Sequence, residues 1–109
     1  MTMKPHWPDD ADGDVLRRLA EGGFDFDAEH NIDFNVDFGQ WPPSPSFIER
    51  LRATYPDSRL IDPENGYQGY VTFGVKGRLS YELVTFVQRS ISELAEPFDG
   101  VCESWGVLP

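Results

Sequence analysis

An α+β fold, with one antiparallel sheet and helices laid against it, is what this sequence predicts. Three observations carry the expectation. Residues 30–38, HNIDFNVDF, set Ile32, Phe34, Val36 and Phe38 in strict alternation with Asp33, Asn35 and Asp37. That is the period-two pattern of a strand with one buried and one wet face. Residues 80–98 place Leu83, Val87, Ile91, Leu94 and Phe98 at spacings of three and four, with Phe86 and Ala95 beside them. This is the stripe of an amphipathic helix. Between the two, Asn65-Gly66 separates two apolar runs, a strong short-range hairpin signal.

Residues 1–8 read as a flexible arm, and 9–109 as a single domain. After Pro8, four aspartates (Asp9, Asp10, Asp12, Asp14) stand in or before the first turns of a helix expected over 9–21, where the helix dipole favours anions. Val15, Leu16, Leu19 and Ala20 form its apolar stripe, and Gly22-Gly23 stops it. The alternating strand follows. The segment SPSFIERLRATY is a second helix with two possible starts: Ser44 with Pro45 at the first helical position, or Ser46 with Glu49 as a capping box. Phe47, Ile48, Leu51 and Tyr55 give it an apolar face, and Pro56 ends it. SRLID (58–62) is a short strand, PENG a turn, and YQGYVTFGVK (67–76) a longer strand with Val71, Phe73 and Val75 on one side. Ser80 caps the long helix, and DGVCESWGV (99–107) closes the chain as a last strand.

After the first helix the order is βαββαβ. This is the split arrangement of a ferredoxin-like sandwich, a four-stranded antiparallel sheet with two helices on one face. The extra N-terminal helix must then pack at a sheet edge or on the open face.

The chain has 109 residues and a net charge of −10, with 19 acidic against 9 basic residues. A surface of that sign repels phosphate backbones and anionic membranes and attracts cationic partners. One cysteine, Cys102, allows no internal disulfide, and His6 and His30 lie far apart without cysteine neighbours, so neither a metal nor a cofactor is expected. The N-terminus lacks a signal-peptide core, and no run approaches the length of a membrane span. The expected compartment is the cytoplasm.

The stretch GYVTFGV invites a nucleic-acid reading, because Gly69-Tyr70-Val71-x-Phe73 matches the back half of an RNA-recognition strand. The front half fails. Gly66 stands where a basic residue is needed and Gln68 where the first stacking aromatic is needed. On the other central strand, Asp33, Asn35 and Asp37 would occupy the open face, and carboxylates repel phosphates. Direct nucleic-acid binding is therefore not expected. Asp33 and Asp37 lie four residues apart, about 13 Å by strand rise, too far to cooperate as an acid–base pair. DDADGD resembles the start of a calcium loop, but the following residues read as helix. Cys102 has no basic neighbour in sequence. No catalytic set emerges.

Two longer pieces, DVLRRLAEGGFDFDAEHNIDFNVDF and ISELAEPFDGVCESWG, carry a family likeness. The pattern is Leu19 to Gly23, Asp25 and Asp27, Ile32 to Phe38, then Leu94, Ala95, Phe98, Gly100, Glu103, Trp105 and Gly106. In this order and spacing, over about residues 12–106, the sequence resembles the RraB family, regulators of ribonuclease E activity. The resemblance implies a cytoplasmic bacterial protein that is not an enzyme. It implies a binding inhibitor that attaches to the Arg-rich, non-catalytic scaffold of ribonuclease E and so alters RNA decay. An acidic chain suits such a basic partner, or another basic protein. The residues expected to form the partner surface are Asp33 and Asp37 on the sheet, with Glu103 and the apolar anchor Trp105 on the last strand. The alternative is a small-ligand-binding or enzymatic α+β domain, which would show a deep pocket with convergent polar groups.

Overall fold

The computed structural model describes residues 7–107. Its elements are α1 (Ala11–Glu21), β1 (Glu29–Phe38), α2 (Pro45–Thr54), β2 (Arg59–Ile61), β3 (Tyr70–Arg78), α3 (Tyr81–Ala95), a single 3-10 turn at Glu96–Phe98, and β4 (Gly100–Val107). The four strands form one antiparallel sheet in the order β2-β3-β1-β4. Most of the expected arm over residues 1–8 lies outside the described residues. Its last two residues are held: Arg17 donates to the carbonyls of Trp7 at 3.1 Å and Pro8 at 3.3 Å, and the Trp7 ring sits 5.5 Å from Phe26.

The helices start where local chemistry favours it. Asp10 accepts from the Gly13 N–H at 2.8 Å and caps α1, and Ser80 accepts from Leu83 N–H at 3.0 Å and caps α3. For α2, the Ser44-Pro45 start is the one adopted; Ser44 accepts from Ser46 N–H at 3.2 Å. In α3 the fully buried stripe is Val84, Val87, Ile91 and Ala95. Leu83 and Leu94 are only half-buried, and Phe86, expected beside the stripe, is 68% exposed. The helix is rotated slightly from the expected orientation, so that small and β-branched residues meet the sheet.

The core is continuous. Ile32, Phe34, Val36 and Phe38 of β1 join Val71 and Phe73 of β3, Phe47 and Leu51 of α2, and the α3 stripe. Phe34 and Phe73 are register partners and stack with centroids 5.5 Å apart, and Tyr55 covers Phe73 at 4.5 Å.

Of the two positions open to it, α1 takes the edge. It packs beside α3 next to the edge strand β4, on the core side, and Leu16 enters the common core with no exposed surface. The docking is polar at its margin. Asp12 accepts from Trp105 Nε1 at 2.8 Å and from Gln88 Nε2 at 3.0 Å, and Tyr81 donates to Asp10 at 2.6 Å. That last bond lowers the Asp10 carboxyl and raises the Tyr81 phenol relative to their ordinary values. The other face of the sheet is left without a covering element among the described residues.

Candidate functional site

That uncovered face is where the alternating side chains of β1 emerge. Asp33 is exposed, and Asn35 and Asp37 are half-exposed. The register explains the difference. Asp33 lies between Gly74 of β3 and Gly106 of β4. Neither neighbour has a side chain, so the carboxylate stands clear on a central strand. Asn35 lies between Thr72 and Ser104 and donates to the Ser104 hydroxyl at 3.2 Å. Asp37 lies between Tyr70 and Val101. Tyr70 is the one aromatic that the two central strands place on this face, while Val71 and Phe73 point into the core.

Glu103 joins the same side, but Trp105 does not. The β1–β4 register shifts between Asn35 and Val36, so that Asn35 faces Ser104 and Val36 faces Cys102. Glu103 is the extra residue of a β-bulge and is pushed outward. Beyond the bulge, Trp105 lies opposite Phe34, and its indole turns to the helix side and donates to Asp12. The expected cluster of four is therefore a set of three carboxylates on the open face, with Trp105 serving to dock α1 on the other.

The face is also not uniformly acidic. Toward β2 it carries Arg59 and Lys76 together with Asp57, around a shallow depression of about 600 Å³ lined also by Asn31, Asp33 and Thr72. Asp37 and Glu103 do not line this depression. These two carboxylates act through the sheet on Cys102: burial first, then Asp37 and Glu103, push its thiol up to about 12. The backbone of Cys102 is held by Ser92, which accepts from its N–H at 2.9 Å and donates to its carbonyl at 3.1 Å. A protonated, enclosed thiol of this kind is a packing residue and not a nucleophile. Among the described residues no group of three His, Cys, Asp or Glu side chains could hold a metal ion, and no helix is long and apolar enough to cross a membrane.

The depression near Asp33 is shallow and open to solvent. Its charged residues Asp33, Asp57, Arg59 and Lys76 are exposed, so it does not remove a ligand from water as small-molecule sites do.

Sequence reasoning missed a second region. Tyr67, assigned to a strand, stands instead at the tip of an arm outside the sheet and is 79% exposed. Asn65-Gly66 was the available signal: a tight turn fixes what its flanking residues present.

The geometry thus defines an α+β domain with a helix-covered core and an open sheet face bearing carboxylates. The family model described as regulator of ribonuclease activity B matches residues 9–107. The chain belongs to this family, RraB, whose members regulate ribonuclease activity. No curated protein sequence matches the chain significantly.

Proposed function

We propose that the protein is a non-enzymatic, cytoplasmic regulator that binds ribonuclease E, through its basic scaffold region, and modulates RNA decay by occupancy. The arrangement of its second to last elements is read as the ferredoxin-like sandwich, with α1 added at the β4 edge. The observation that carries the reading is the uncovered sheet face, where Asp33, Asp37 and Glu103 are accessible on a chain of net charge −10 within a family of ribonuclease regulators. Long-range attraction steers a cationic scaffold toward such a face. Arg59 and Lys76 at the other end orient the partner by repelling its cations there. Nucleic acid is not the ligand in this reading, because the face that would stack bases carries carboxylates instead.

The test is a calorimetric titration of the purified protein with the ribonuclease E scaffold segment, alongside a cleavage assay. Saturable binding that weakens with salt, together with altered cleavage, is expected. Absence of binding at low salt overturns the reading.

A further inference from the structure

Residues 62–69 leave the sheet as an arm ending in a tight turn. Glu64 and Tyr67 exchange backbone hydrogen bonds of 3.2 and 2.9 Å, and the two residues between them, Asn65 and Gly66, have φ of 52° and 83°. Positive φ at both central positions is the type I′ geometry, which Asn-Gly adopts with little strain. The turn thus sets Glu64 and Tyr67 side by side at the tip.

The base of the arm is equally set. Trp41 lies against Gly69: a Cβ on that glycine would stand 2.7 Å from the indole ring and 2.9 Å from Pro63. Glycine is what allows the ring to pack there. Between Trp41 and the tip runs a groove of about 420 Å³, lined by Phe38, Trp41, Pro63, Glu64 and Tyr67. On the other side of the arm, a second depression of about 520 Å³ is lined by Asp62, Glu64, Tyr67 and Tyr70. The residues lining these two concavities include carboxylates and aromatic rings and no basic side chain. Asp37 adds a further carboxylate beside Tyr70.

We propose that this arm, together with Trp41, is a docking site for arginine in an extended cationic protein segment. Each part of an arginine finds its complement. The guanidinium plane stacks on Tyr67 or Trp41, where its charge meets the negative face of the ring. Its N–H groups reach Glu64 or Asp62 in the paired geometry a carboxylate accepts. The methylene stem covers the apolar floor at Pro63 and Phe38. Lysine satisfies the charge but not the stacking. A nucleic-acid strand could stack, but its phosphates would meet carboxylates with no cation to hold them. The proposal does not depend on the partner being a ribonuclease.

The experiment is an amide NMR titration with a short Arg-Ser repeat peptide, its Lys-Ser twin, and a single-stranded oligouridine. Shifts at residues 40–41 and 61–70, tighter binding of the arginine peptide than of its twin, and no response to oligouridine are expected. Glu64→Gln with Tyr67→Ser changes only exposed tip residues and should weaken the arginine peptide roughly tenfold, the equivalent of about 1.4 kcal/mol. Shifts confined to the sheet face, equal affinity for the lysine twin, no binding, or oligouridine shifts at the arm would each overturn the proposal. The ribonuclease E scaffold segment is titrated in parallel. If both it and the arginine peptide bind the tip variant as tightly as the parent, the arm is not the site and the regulator reading stands. If only the arginine peptide binds, at the arm, the arm stands and the regulator reading falls.

Discussion

Replacing Asp12 by alanine should weaken the docking of α1 on the rest of the domain, and the structure gives the size of the effect. Asp12 accepts two hydrogen bonds, from Trp105 at 2.8 Å and Gln88 at 3.0 Å. A bond to a charged acceptor contributes about 1.5–3 kcal/mol when water is excluded. Asp12 is half-exposed, so water replaces part of what is lost, and the pair together should be worth about 2 kcal/mol. For a domain of this size that corresponds to a fall in Tm of roughly 10 °C. Trp105→Phe keeps most of the ring but removes the N–H, at a cost of about 1 kcal/mol. Because both changes break the same bond, the double variant should lose about 1 kcal/mol less than the sum of the singles. Urea unfolding followed by far-ultraviolet circular dichroism measures all three, and remains usable when a tryptophan is removed. Additivity to within about 0.5 kcal/mol would refute the bond.

Three further outcomes follow from the packing and the titrating groups. Leu16→Ala opens a cavity at a position with no exposed surface and should cost about 3 kcal/mol; a loss under about 1 kcal/mol would mean that α1 is not part of the core. Gly69→Ala forces the Trp41 ring and Pro63 away from the arm, costing roughly 1–3 kcal/mol and changing tryptophan fluorescence, whereas an unchanged spectrum would contradict the contact. Burial raises the Cys102 thiol from 9.0 to about 12, so the folded state keeps a proton that the unfolded chain releases. Its contribution to stability is whole below about pH 9 and is lost as pH rises toward 12. Urea midpoints should therefore fall between about pH 8 and pH 10, and fall less in Cys102→Ala; equal slopes would contradict the enclosed thiol.

Much of the fold was legible because its signals are local. The alternation in β1, the Ser80 cap of α3 and the Ser44-Pro45 start of α2 each depend on residues within a few positions, and each was formed. The open face of β1 was legible for the same reason: the residues alternating with Ile32, Phe34 and Val36 had to face away from the helices. Trp105 was misplaced because simple alternation puts Glu103 and Trp105 on one side. The bulge opposite Asn35 and Val36 inserts Glu103 as an extra residue, so that Cys102 and Trp105, three apart, share the core side. Such a register shift depends on β1 and β4 pairing across the chain. Arg59 and Lys76 beside Asp33 were likewise invisible, since the face they share is assembled by β3 and β2. Tyr67 was read as strand because it stands between the Asn65-Gly66 turn and the apolar run that begins at Tyr70. The short β2, only three residues long, leaves it without a sheet partner and makes it the tip of an arm.

The central claim is that the carboxylates of the open sheet face hold a cationic partner. It is tested most directly by the affinity of Asp33→Lys/Asp37→Lys for the ribonuclease E scaffold segment at low and at raised salt. Both side chains point away from the core, so the variant should fold as the parent does. The account expects at least a roughly tenfold weaker affinity at low salt, about 1.4 kcal/mol, and a shallower dependence on salt. An affinity and salt dependence equal to those of the parent would contradict it.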